Sequence, residues 1–184
     1  MLSPIVRCNN LLVEYRKKRR IQNLIQSGLK LGKNVLIVDT FVFDPSHCYL
    51  ISIGDNCTIC PDVRLIAHDA STKRHLGFTK FGKIDIRENC FIGDSTIILP
   101  NVTIGPNSIV GAGSIVTKTI PPNTVAAGNP ARPICSLEAY LAKIRGMANG
   151  ATKIFGREYW IENLDEAKRN ELIAAVNERA GFIV

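Results

Sequence analysis

From Ile86 the chain counts in sixes. Ile86, Ile92, Ile98, Ile104, Val110 and Val116 follow one another at that step without a miss. Ile and Val make up 35 of the 184 residues, so chance would give six consecutive hits at about one starting position in twenty thousand. Neither the helix period of 3.6 nor the strand period of two explains the spacing. A six-residue unit made of a short strand and a turn does. Three such units close a triangular rung, and residues eighteen apart in an unbroken run then stack in register. The aliphatic at position one fills the interior of the prism. Position five reads Cys90, Thr96, Val102, Ser108, Ser114 and Ile120, mostly small, where the inside of the turn is narrow. Glycine follows the aliphatic at 93, 105 and 111 and takes backbone angles that other residues resist. No single repeat buries a core; the stack does.

A second block obeys the rule at Ile53, Ile59 and Leu65, with Cys57 and Val63 at position five, and a third at Leu31, Ile37 and Phe43. Phe43 to Ile53 is ten residues, one hexad plus four, and Leu65 to Ile86 is twenty-one, enough for a protruding loop. The expected architecture is therefore an all-β core, a parallel β-coil of hexapeptide repeats. The expected divisions are an N-terminal helical segment over 1–30, the coil over 31–134 with a loop at 67–84, and a C-terminal helical extension over 135–184.

The chain is long enough for one domain with a real core. No apolar run reaches the eighteen or more residues of a membrane span, and the first twenty residues have no signal-peptide pattern. A cytoplasmic protein is expected. Its six cysteines include one C-x-x-C, Cys57 and Cys60, without a second pair at zinc-ribbon spacing. These two occupy different hexad positions and should not converge, so the cysteines read as reduced packing residues and no metal is expected. The net charge of +7 and the run RKKRR at 16–20 invite a nucleic-acid reading. No aromatic RNP pattern or zinc-finger spacing accompanies them, and the run reads as the solvated face of an amphipathic helix. No nucleic-acid partner is expected. Attraction of an anionic cofactor, or loose contact with an acidic membrane surface, explains the excess charge equally well.

The repeats end in TIPPNTVAAGNPARPI, residues 119–134. Prolines interrupt regular ladder pairing, Gly128 and Asn129 suit a tight turn, and Arg132 is carried back toward the coil edge. A structural end-cap would need the prolines but not the arginine. SLEAYLAKI, 136–144, reads as a short capped helix, and NLDEAKRNELIAAVNERAG, 163–181, as another with Gly181 as its stop.

Together the hexads and the ending VAAGNPAR resemble the hexapeptide-repeat acetyltransferases, nearest the maltose, galactoside and nodulation O-acetyltransferase group and relatives in polysaccharide gene clusters. The resemblance covers about 31–142 and is strongest from Ile92 onward. It implies a left-handed parallel β-helix and homotrimers, with acetyl-CoA lying between neighbouring subunits. It places the catalytic histidine at His68 in LIAHDAST, just before the loop. The resemblance also assigns cofactor contacts to Ala112, Thr117, Lys118 and Arg132. Phe91 stands where many relatives place a tryptophan near the acceptor pocket. The carboxylate that holds the sugar in galactoside enzymes would fall near Cys48, with His47 and Asp44 beside it, so Asp44, His47 and Phe91 are the candidate acceptor residues. Asp69 replaces a frequent proline after the histidine, and Asp94 a serine that contacts the cofactor.

Acetyl transfer to a hydroxyl needs a base with a pKa near 7, a preorganised donor for the developing oxyanion, and cations or amides for the cofactor's phosphates. His68, the coil backbone, and Lys118 with Arg132 answer these in turn. The other histidines are His47 and His75, and His75 lies within the loop. Asp69 reads as a turn cap more than as a partner of His68, because adjacent side chains in an extended segment point to opposite faces. The acceptor reads as a saccharide or glycoconjugate hydroxyl, with a sugar amine as a close variant. Two alternatives stand beside this. A zinc carbonic anhydrase on the same coil would need His47, His68 and His75 on one metal, and a non-catalytic scaffold would need neither His68 nor Lys118.

Overall fold

A computed structural model describes residues 4–150, 153–176 and 180–184, with side chains from Leu12 onward. Two compact units divide the chain, Met1–Leu137 and Glu138–Val184.

The first unit is a prism with three parallel faces. The first face holds Lys30–Leu31, Ile51–Ile53, Ile84–Ile86 and Val102–Ile104. The second holds Leu36–Ile37, Thr58–Ile59, Phe91–Ile92 and Ile109–Val110, extended by Thr124–Gly128 and Ala131–Ser136. The third holds Phe41–Phe43, Val63–Leu65, Ile97–Ile98 and Ile115–Val116. Leu31 pairs with Ile53, Ile53 with Ile86, and Ile86 with Ile104, and the other two faces keep the same step. The rungs are therefore Leu31–Ile37–Phe43, Ile53–Ile59–Leu65, Ile86–Ile92–Ile98 and Ile104–Val110–Val116. Ile120 and Ala126 continue the stack on the next turn. From Ile51 on, the inward strand residues of these rungs are at most 2% exposed. Burying a side chain of this size contributes about 1.5–3 kcal/mol, which is how strands of two or three residues persist.

The corner between the first and second faces carries a second repeat. Asn34, Asn56, Asn89, Asn107 and Asn123 all have φ between 54° and 57°, a left-handed conformation that asparagine tolerates better than most residues. Their side-chain amides form a ladder, Asn34 to Asn56 (3.2 Å), Asn56 to Asn89 (3.2 Å), Asn89 to Asn107 (3.0 Å) and Asn107 to Asn123 (3.0 Å). Cys57 and Cys90 fill the inside of the same corner at 1% and 2% exposure. Their thiols donate to the carbonyls of Arg87 (2.9 Å) and Gly105 (3.1 Å).

Before the coil, helix α1 (Pro4–Gln26) turns Leu24 into the core and packs Ile21 against it. Arg16, Lys18, Arg19 and Arg20 stay exposed, with the Arg20 guanidinium 4.7 Å above the Phe41 ring. After the coil, Ala131–Ser136 doubles back antiparallel on Thr124–Gly128, with Ala127 opposite Arg132.

The loop after Leu65 is a β-ribbon. His68–Asp69 pairs antiparallel with Lys80–Phe81, and helix α2 (Lys73–Leu76) caps its tip.

In the second unit, helix α3 (Leu137–Asn149) runs five residues beyond the stretch read from the sequence. Arg145, Met147 and Ala148 favour helix, and the single Gly146 does not outweigh them. Helix α4 (Glu166–Ala175) starts later than expected, at an N-cap where Asp165 accepts the Lys168 amide (2.8 Å). Residues 177–179 of the expected helix lie outside the described residues. Phe155 and Tyr159 form the small core of this unit, ring centroids 4.7 Å apart.

Candidate active site

Both interruptions of the repeat leave the prism at one corner, between the third and first faces, on adjacent rungs. Asp44 follows Phe43 and donates its amide to the Leu65 carbonyl (2.9 Å). Ile66 follows Leu65 and does the same toward Ile98 (3.0 Å). The first insertion therefore presents Asp44 and His47 beside the second, which presents His68.

The Asp44 side chain is 2% accessible. One carboxylate oxygen accepts the amides of Ser46 (3.0 Å) and His47 (3.2 Å). The other accepts from Nδ1 of His68. Burial alone would raise the Asp44 pKa; the hydrogen bond and charge of His68, with the two amides, outweigh it and hold the group below its ordinary 3.8. An ionised carboxylate only accepts. The proton of the bond therefore sits on His68 Nδ1, and in the neutral ring Nε2 keeps a free lone pair. The His68 side chain is 36% accessible.

The His47 ring packs against this pair, its centroid 4.7 Å from His68 in a tilted arrangement, 6.2 Å from Phe81 and 5.9 Å from Tyr49. Its Nδ1 is buried without a hydrogen-bond partner, 3.8 Å from the Asp44 carboxylate. The donor atoms of Asp44, His47 and His68 lie within 4.8 Å of one another, the one group among the described residues able to hold a metal ion. His75, which the anhydrase alternative needs, is not part of it; it sits exposed in α2. Asp69 accepts the Ser71 amide (2.9 Å) as a turn cap.

Thr117 and Lys118 follow Val116 at the same corner as His68. Val63–Leu65, Ile97–Ile98 and Ile115–Val116 are consecutive neighbours on the third face, so Val116, which leads into Lys118, stands two strand spacings, about 10 Å, from Leu65, which leads into His68. Ala112 occupies the preceding corner. There a Cβ on Gly93 would come 2.5 Å from the Ala112 amide nitrogen, and one on Gly111 would come 2.9 Å from Ala127. Ala127 is also the partner of Arg132, so the strand that doubles back delivers Arg132 to the edge that carries Ala112. Phe91 projects from the second face at 43% exposure, on a different side of the same chain from His68. Asp94 accepts from Ser95 (2.7 Å) at the surface.

Residues 83–118 match the model of the bacterial transferase hexapeptide family, described as six repeats. Protein CapG of Staphylococcus aureus is 39% identical over 149 residues, covering 78% of this chain and 86% of CapG. This chain belongs to the hexapeptide-repeat transferases. The galactoside O-acetyltransferase of Escherichia coli K12 is 48% identical over 59% of this chain and 54% of its own length. Among solved structures, a hexapeptide-repeat acetyltransferase of Vibrio cholerae complexed with acetyl coenzyme A superposes with a TM-score of 0.55 at 30% identity, over 60% of this chain and 61% of that one. Of the curated relatives it matches, the chain spans about half the length of two, 44% and 54%.

Within this hexapeptide-repeat transferase, sequence reasoning placed Asp44 with the acceptor and missed its bond to His68. The signal was available. Both insertions open immediately after a third-face aliphatic, Phe43 or Leu65, so a register that aligns these two residues brings the insertions side by side. Among the described residues, no helix is long and apolar enough to cross a membrane.

Proposed function

We propose that the protein is an acetyl-CoA-dependent O-acetyltransferase that acts on a hydroxyl of a saccharide or glycoconjugate, on a left-handed coil assembled as a homotrimer. The observation that carries this reading is His68 at the coil edge, its Nδ1–H held by the buried Asp44 carboxylate. The acetyl donor bound by the Vibrio relative and the sugar named for the galactoside enzyme support the choice of substrates.

His68 Nε2 removes the proton of the attacking hydroxyl as the new C–O bond forms and the thioester C–S bond breaks. Asp44 stabilises the resulting imidazolium and keeps the ring in the tautomer that frees Nε2. The imidazolium then returns the proton to the departing thiolate. Coil amides face the charge that develops on the acetyl oxygen. Ala112, Thr117, Lys118 and Arg132 contact the donor, Lys118 and Arg132 at its phosphate-bearing end, and His47 with Phe91 of a neighbouring subunit borders the acceptor. Each step falls to a side chain or an amide, without a metal.

Release of free CoA thiol from acetyl-CoA, screened over mono-, oligo- and amino-sugars, tests the reading. Carbon-13 spectra of the product separate an ester from an amide. Thiol release that depends on a sugar and is lost in His68→Ala is the expected result. Transfer to amines alone would replace O- by N-acetylation, and no sugar-dependent release would reject the reading.

A further inference from the structure

Beside the histidine pair lies a cavity of about 230 Å³ on the outside of the first face, lined by Lys30, Tyr49, Ser52, Lys83 and Asp85 among others. Lys30 and Ser52 are register partners, as are Ser52 and Asp85, so these side chains form one outward column across three rungs. Tyr49 belongs to the insertion that carries His47, and the two rings are 5.9 Å apart. The tyrosine is fixed at the mouth of the cavity by the chain beneath it. Gly28 turns with φ +105°, and a Cβ there would lie 2.7 Å from Tyr49 Cβ. The exposed face of Tyr49, 54% accessible, is a flat apolar surface of the kind that the C–H side of a sugar ring covers.

The charge of the cavity is one-sided. Asp85, its acid, is engaged by Arg87 (2.6 Å) and by the Ser52 hydroxyl (2.8 Å). Lys30 and Lys83 are exposed and have no ion-pair partner among the described residues. Two free ammonium groups flank an aromatic platform one ring away from the residues that border His68.

We propose that this cavity selects an acidic acceptor, a saccharide that bears a carboxylate or phosphate, with its anion between Lys30 and Lys83 and its ring on Tyr49. The inference rests on the acetyltransferase reading for the reaction and adds the class of acceptor.

The test compares kcat/KM for methyl glucuronide with that for methyl glucoside at fixed acetyl-CoA, and for glucose 6-phosphate with that for glucose. The wild type should favour one acid or both at least tenfold. Which of the two pairs shows the preference distinguishes a carboxylate from a phosphate. The preference should shrink with salt and collapse toward one in Lys30→Ala/Lys83→Ala. A wild-type ratio near one in both pairs, or a ratio that survives the double substitution, overturns the proposal. So does a double variant whose KM for acetyl-CoA rises in place of the acceptor KM, since the lysines would then serve the donor's phosphates. If no sugar is acetylated at all, the reaction assignment fails and the cavity is read by binding alone. Titration of methyl glucuronide and glucose 6-phosphate, followed by ligand NMR, should then show at least tenfold weaker binding of one of them to the double variant. Binding of neither acid to the wild type rejects the site.

Discussion

His68 Nδ1 donates to the Asp44 carboxylate across a sequence separation of 24 residues. The contact exists because two successive rungs let the chain out at the same corner. His68→Ala should lower kcat about a hundred- to ten-thousandfold, the usual worth of a general base, with the circular dichroism of the coil unchanged. Asp44→Asn should keep the fold and lose at least tenfold in kcat, because an amide does not hold the same tautomer or stabilise an imidazolium. His75→Ala should stay active. Full turnover in His68→Ala with loss in His75→Ala would transfer the role of base to the loop.

The asparagine corner makes a separate prediction about stability. Asn89 has φ 57° and shares amide hydrogen bonds with Asn56 and Asn107. Asn89→Ala removes both bonds and leaves a Cβ in the left-handed region, at a combined cost of about 2 kcal/mol. Asn89→Gly should lose less, because glycine has no penalty at that φ. Denaturant midpoints of the three proteins check the order, and equal midpoints for alanine and wild type would remove the ladder from the stability of the coil.

The coil was legible because its interior repeats one residue type at one spacing. The ladder was legible too, since Asn34, Asn56, Asn89, Asn107 and Asn123 all stand three residues after the first-face position. The Asp44 contact is legible only through the register of the hexads. The partner is set by which corner an insertion leaves from, a property of rung closure that no local window of sequence contains. The extents of α3 and α4 were misread because helix ends depend on caps and neighbours, such as Asp165 on the Lys168 amide, and not on propensity alone.

In the second unit, Glu171 takes hydrogen bonds from Lys153 (2.5 Å) and from the Tyr159 hydroxyl. The lysine first, then the tyrosine, lowers the Glu171 pKa below its ordinary 4.5. Hydrogen bonding to Glu171 first raises Lys153 above 10.5 and Tyr159 above 10.0. A depressed folded pKa gives stability that is present above 4.5 and lost as pH falls through the folded value. The raised pair gives stability that is present below about 10 and lost as pH rises. Trp160, the only tryptophan, donates to the Val184 carbonyl (3.2 Å) in this unit, so its fluorescence is the probe. A plateau between these limits, lowered in Glu171→Gln and with its acid limb flattened because the variant has no carboxylate there to protonate, is the expected profile. An acid limb that does not change in the variant would count against the cluster.

Assembly is predicted to cover the second face. Leu36 and Phe91 are each in register with Thr58 and leave 58% and 43% of their surface exposed. A closed cyclic trimer buries such a column against a neighbour and brings Phe91 of one subunit toward a site on another. Phe91→Asp should shift light scattering from trimer toward monomer and reduce activity in parallel. A wild-type monomer that is fully active at high dilution would overturn the interfacial site.

Lys118 and Arg132 are predicted to bind the donor without taking part in bond making. Val116, which leads into Lys118, stands two strand spacings along the third face from Leu65, which leads into His68, and Arg132 reaches the coil edge through its pairing with Ala127. Among the described residues His68 is joined to Asp44 and His47 and to neither cation, and the donor carries its phosphates well away from its thioester. A phosphate contact made equally in the ground and transition states lowers KM and leaves kcat alone. Lys118→Ala and Arg132→Ala should therefore raise the KM for acetyl-CoA, by about tenfold for a charge-assisted contact worth 1.4 kcal/mol, while kcat at saturation stays within about twofold. Because both side chains are exposed, the effect should weaken as salt screens them. Steady-state kinetics with acetyl-CoA as the varied substrate separates the two constants. A large fall in kcat with KM unchanged would place one of these cations at the reacting carbonyl, and the donor would have to lie along the coil in the opposite sense.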